Sequence, residues 1–72
     1  MKLYTQPQCT YCLKVRQFLK DLNVNFTEID LATDIEGQEF MDSRGYTELP
    51  VVVIGDTEIS GYKISAIRRA IM

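Results

Sequence analysis

Apolar positions along this chain switch between a spacing of two and a spacing of three to four, and the switches predict alternating strands and helices. Lys2 to Thr5 reads as a short strand, followed by a loop centred on Pro7. From about Thr10 to Leu22 the residues Cys12, Val15, Leu19 and Leu22 fall at i, i+3, i+7 and i+10, which is one face of a helix. That face carries the second cysteine. Val24 to Ile29 is rich in β-forming residues and predicts a second strand. It starts so soon after the helix that a parallel β-α-β unit is the natural reading.

The second half continues the alternation. Thr33-Asp34-Ile35-Glu36 has the capping-box pattern, Thr followed three residues later by Glu, and predicts a helix that Gly45 ends after Arg44. Gly37 inside that helix costs about 1 kcal/mol relative to alanine. Val51-Val52-Val53-Ile54 is apolar on both faces, as expected of a strand buried between two layers. Gly55-Asp56 supplies a two-residue turn into a strand from Thr57 to Ser60. A last helix follows, with Ile64, Ile67 and Ile71 on one side and Arg68 and Arg69 near its C-terminus, where cations are favoured. The predicted order is β-α-β-α-β-β-α.

At 72 residues the chain is expected to form one domain, 1–72, with a small core. Its 46% apolar and 25% charged residues match ordinary globular proteins. No apolar run approaches the length of a membrane span and no charged-then-apolar leader opens the chain, so a cytoplasmic location is the expectation. A net charge of −2 without a basic run argues against nucleic acid as a partner. Lys14, Arg16, Lys20, Lys63, Arg68 and Arg69 lie on the first and last helices, whereas Glu28, Asp30, Asp34, Glu36, Glu39 and Asp42 surround the second. If those helices take opposite sides of the sheet, one face is basic and steers an acidic partner peptide toward the cysteines.

Cys9-Thr10-Tyr11-Cys12 is where residue type and spacing together point to a chemistry. A free cysteine has a pKa of about 8.5, yet the thiolate is the nucleophile. The first turn of a helix offers unpaired N–H groups and the positive end of the macrodipole, which favour a thiolate placed there. Cys9 sits just outside that turn and Cys12 one turn in, so Cys9 is assigned as the attacking thiol and Cys12 as the resolving thiol. Two alternatives stay open. A structural zinc site needs four ligands, and a chain with two cysteines and no histidine would have to share them across a dimer or borrow an external thiol, as would an iron–sulfur cluster. A structural staple closing so short a loop would remove little chain entropy.

The element order, with C-x-x-C at the first strand-to-helix junction, resembles the glutaredoxin branch of the thioredoxin fold. Tyr4-Thr5, Cys9-Thr10-Tyr11-Cys12, Leu49-Pro50 and Ser60-Gly61-Tyr62 carry the resemblance in order along essentially the whole chain. It implies an α/β fold: a four-stranded mixed sheet with helices on both faces. It also implies a cis bond at Leu49-Pro50, presenting a backbone edge to the substrate disulfide. Tyr11 would line a glutathione site, and Gly61 and Tyr62 would wall the partner groove. Tyr4, in the first strand, is expected to pack in the core or at the sheet edge.

Two departures bear on the source of electrons. Glutathione-dependent members usually carry a basic residue where Gln6 stands, and a Gly-Gly pair with following acidic residues where this chain has Ser60-Gly61-Tyr62-Lys63. Exchanging a charge-assisted contact for a repulsive one weakens glutathione binding by about 1.5 to 3 kcal/mol, roughly 10- to 100-fold. Ser-Gly-Tyr-Lys is instead similar to the Ser-Gly-aromatic-basic segment of NrdH-redoxins, which take electrons from thioredoxin reductase and reduce ribonucleotide reductase. Thr10-Tyr11 stands closer to ordinary glutaredoxins, Ile64 replaces a proline frequent among NrdH-redoxins, and small glutaredoxins of bacterial viruses could show the same mixture. The expectation is therefore a dithiol-disulfide oxidoreductase, acting as a monomer in electron transport for deoxyribonucleotide synthesis and cell redox homeostasis. It would bind no cofactor and would draw reducing equivalents from NADPH through thioredoxin reductase, or from glutathione. A general glutathione-dependent glutaredoxin and an iron–sulfur or metal carrier are the rival functions.

Overall fold

The computed structural model describes residues 1–72. Its elements are β1 (Lys2–Thr5), α1 (Thr10–Asp21), β2 (Thr27–Asp30), α2 (Ile35–Arg44), β3 (Val51–Ile54), β4 (Thr57–Ser60) and α3 (Ile64–Ile71), the predicted order. The sheet runs β2-β1-β3-β4. β1 pairs parallel with β2, and β3 pairs antiparallel with both β1 and β4. None of the helices is long and apolar enough to cross a membrane.

The strand period of two divides the core between the sheet's faces. Leu3, Val52 and Ile59 stand in register across three strands and pack with Val15, Leu19 and Ile67 from α1 and α3. Tyr4 and Val51 point the other way, toward Met41 of α2. Tyr4 is 4% exposed and its ring stacks on Phe40 at 4.7 Å, so of the core and edge packing expected of it the structure shows the core. Helices on both faces of a mixed four-stranded sheet make a thioredoxin-like fold.

Several boundaries differ from the sequence reading, each for a local reason. α1 stops at Asp21 because Asn23 turns left-handed at φ 58°, with the Asn23 N–H bonded to Lys20 O and the Val24 N–H to Leu19 O. Leu22 therefore leaves the buried stripe and is 44% exposed. Val24 closes the helix instead of opening the strand, so β2 begins at Thr27, not Val24. At the second helix the cap is Asp34, whose Oδ1 accepts from Gly37 N at 2.7 Å; the predicted cap Thr33 turns its hydroxyl to Asp30 O. Gly37 is buried where α2 crosses β2 closely: a β-carbon there would meet Ile29 Cγ2 at 2.9 Å and Leu31 Cδ2 at 3.0 Å. Close approach explains a glycine that helix propensity disfavours.

Candidate functional site: a cysteine pair beside an open cleft

The end of β1 and the start of α1 position the cysteines. Cys9 is the N-cap of α1, with extended backbone at φ −105° and ψ 104°, and its Sγ accepts from Cys12 N at 3.2 Å. An N-cap normally uses a side-chain oxygen for this bond. Here sulfur takes that place, so one of the free donors in the first turn of the helix, the Cys12 N–H, points at Cys9. Cys12 lies one turn on, 1% exposed, while Cys9 is half-buried. The two sulfurs are at disulfide distance, with Cα atoms 5.2 Å apart. The bonded Cys9 sulfur marks where the thiolate of the reduced protein would sit.

The Leu49-Pro50 bond is cis and Pro50 is fully buried. Two hydrogen bonds knit this turn to the end of β4: Gly61 N donates to Pro50 O at 2.9 Å and Ser60 Oγ to Glu48 O at 2.9 Å. An open cleft of about 410 Å³ follows, lined by Tyr11, Glu48, Leu49, Gly61 and Tyr62. Tyr11 comes from the turn between the cysteines, and its ring stacks on Tyr62 with centroids 4.8 Å apart and planes 14° apart. Lys14 Nζ lies 5.9 and 5.8 Å from the two ring centroids. Tyr11, Leu49, Gly61 and Tyr62, singled out from the sequence, thus come together along one cleft, whereas Pro50 is buried and not among its lining residues.

Sequence reasoning missed Glu48. An exposed acid before a Leu-Pro pair carries no periodic or motif signal; only the approach of the turn to β4 places it in the cleft. Gly61, at φ +97°, has no side chain there, and Glu48 Oε2 lies 2.5 Å from where a β-carbon would stand.

A second cluster ties α1 to β1 and β2. Glu28 accepts from Arg16 Nε at 2.8 Å, from the terminal guanidinium nitrogen of Arg16, and from the buried Thr5 hydroxyl at 3.0 Å. Arg16 and Thr5 together hold the Glu28 carboxyl below its ordinary range, with the guanidinium contributing most. The expected separation of charge is corrected here. Glu28 reaches across to α1 and pairs with Arg16, which removes Arg16 from the free basic residues of that face. Around α2, Arg44 and the Tyr46 hydroxyl both bond Glu58 and lower its pKa, Arg44 more strongly.

Thiol-disulfide oxidoreductases of the thioredoxin-like fold present a C-x-x-C pair at the start of the first helix, and this chain is one of them. The glutaredoxin family model matches residues 1–59, and the chain belongs to the glutaredoxin family. It is 31% identical over 72 residues to the uncharacterized glutaredoxin-like 8.6 kDa protein of the rubredoxin operon of Clostridium pasteurianum, covering 99% of this chain and 96% of that one. Its fold superposes on the Escherichia coli NrdH-redoxin, a glutaredoxin-like protein with a thioredoxin-like activity profile, with a TM-score of 0.88. That pair shares 28% identity over 94% of this chain and 90% of the other. A solved thioredoxin-like protein reaches a TM-score of 0.90 at 28% identity, covering 99% of this chain and 97% of that one.

Proposed function

We propose that residues 1–72 act as one dithiol-disulfide oxidoreductase domain that passes electrons to a ribonucleotide reductase, with thioredoxin reductase and NADPH restoring the dithiol. In this reading the Cys9 thiolate attacks one sulfur of the substrate disulfide, which forms a mixed disulfide and releases the other substrate sulfur as a thiolate that takes up a proton. Cys12 then loses its proton and attacks Cys9 Sγ, which releases the second substrate thiol and leaves Cys9–Cys12 oxidised. Two electrons and two protons have moved to the substrate. The exchange needs no bound cofactor.

The Cys12 N–H aimed at Cys9 Sγ supports the division of labour, because that donor favours negative charge on Cys9 before attack. Burial of Cys12 keeps external disulfides from reaching it first. Leu49, Pro50, Gly61 and Tyr62 then form the surface along which the partner peptide lies, with Tyr11 at the edge nearest the cysteines.

The observation that carries the choice of reductant is Tyr62 stacked on Tyr11. One face of the ring that would line a glutathione site is already covered, and the next residue is the cation Lys63. The resemblance to the E. coli NrdH-redoxin supports the same choice. Tyr11 lining the cleft favours the second reading, a general glutathione-dependent glutaredoxin. Turnover of a ribonucleotide reductase separates them. The proposal expects NADPH with thioredoxin reductase to sustain it, whereas turnover sustained only by glutathione with glutathione reductase would select the second reading.

A further inference from the structure

The cleft contains one charged side chain among the residues that line it, Glu48. Its carboxylate makes no ion pair, since the salt bridges of this structure are Arg16–Glu28 and Arg44–Glu58. Its side chain accepts no hydrogen bond either; the one side-chain donor that reaches Glu48, Ser60 Oγ, binds its main-chain oxygen. Gly61 leaves the space that the carboxylate fills, and the Ser60 and Gly61 hydrogen bonds fix the backbone on both sides of that contact. A carboxylate held on a fixed backbone, open to solvent and without a cation of its own can meet a charge brought by a ligand.

We propose that Glu48 sets substrate preference in this cleft by pairing with a basic residue, lysine or arginine, next to the cysteine of the disulfide substrate. The proposal rests on the reading that a substrate disulfide lies along Leu49 and Pro50, because Glu48 immediately precedes that pair and its charge then falls beside the residues flanking the substrate cysteine. Lys14 stands beside the tyrosine rings and not among the cleft-lining residues, so the cleft has an acidic side at Leu49-Pro50 and a basic one past Tyr11 and Tyr62. A peptide with an acidic residue in place of the basic one would face Glu48 directly. Exposed charge pairs contribute modestly, and replacing attraction by repulsion acts on association as well as on the bound state.

The test uses the pre-reduced full chain in single turnover with two disulfide peptides that differ only in a lysine or a glutamate beside the cysteine. The expected second-order rate for the lysine peptide exceeds that for the glutamate peptide by about five- to tenfold at low salt, and the ratio shrinks as salt rises. Glu48→Gln is expected to bring the ratio to within about twofold of unity, and Glu48→Lys to invert it. Equal rates in the unsubstituted protein, or a ratio that neither substitution changes, would overturn the role of Glu48. A neutral peptide separates this failure from that of the underlying reading: if the protein reduces none of the three, the cleft does not receive disulfides and both fall.

Discussion

The rings of Tyr11 and Tyr62 stack with centroids 4.8 Å apart, which ties the turn between the two cysteines to the loop entering α3. Both rings keep one side toward solvent, 52% and 44% exposed, so the contact adds little burial and is mainly a pairing of π-systems. Aromatic pairs contribute about 0.5 to 1.5 kcal/mol beyond their area. A double-mutant cycle with Tyr11→Ala and Tyr62→Ala should give a coupling energy within that range by urea denaturation. Additive single losses would show that the rings are neighbours without being energetic partners.

Glu28 joins three elements through Arg16 and Thr5, and its lowered pKa fixes the sign of its pH dependence. A carboxylate whose folded pKa lies below the unfolded one stabilises the fold at pH above its ordinary value, 4.5, and loses that contribution as pH falls through the folded value. Glu28→Gln should therefore lower stability by about 1 kcal/mol or less at pH 7, the discount reflecting partial exposure. The gap between variant and parent should narrow in acid. Urea midpoints measured at pH 7 and at pH 3 check this, and a gap that widens toward acid would contradict the assignment. Glu58, lowered by Arg44 and Tyr46, adds acid sensitivity of the same sign in both proteins.

At Gly37 two general tendencies conflict, and the structure decides between them. Alanine in a helix interior is favoured over glycine by about 1 kcal/mol. Here the added carbon would meet the stiff Cγ2 branch of Ile29 at 2.9 Å. Overpacking of this kind costs about 1 to 3 kcal/mol, so Gly37→Ala should destabilise by about 1 kcal/mol net, measurable as a lower urea midpoint. A raised midpoint would mean that α2 can move away from β2 without loss.

These cases show which parts of the molecule the sequence made legible. The element order follows from apolar spacing because every element except β2, whose Ile29 is half-buried, places at least one residue in the core, and Leu3, Val15, Leu19, Val52 and Ile67 are fully buried. The C-x-x-C was legible as local chemistry, and Leu49-Pro50 only through the resemblance to glutaredoxins. What escaped is tertiary: Glu48 over Gly61, Tyr11 against Tyr62 and Arg16 with Glu28 join residues far apart in sequence. Two boundaries escaped for a local reason. Thr33 and Asp34 can both cap a helix, and Val24 suits a strand as well as the apolar contact that closes one.

Cysteine trapping tests the central claim most directly: that Cys9 attacks and Cys12 resolves. The reduced Cys12→Ser protein, mixed with a disulfide substrate, should accumulate a mixed disulfide at Cys9, visible as one covalent adduct by intact-protein mass spectrometry. Cys9→Ser should accumulate none, because the remaining thiol is buried. An adduct on Cys12 in the Cys9→Ser protein with none in Cys12→Ser, or full dithiol turnover without Cys12, would contradict the account.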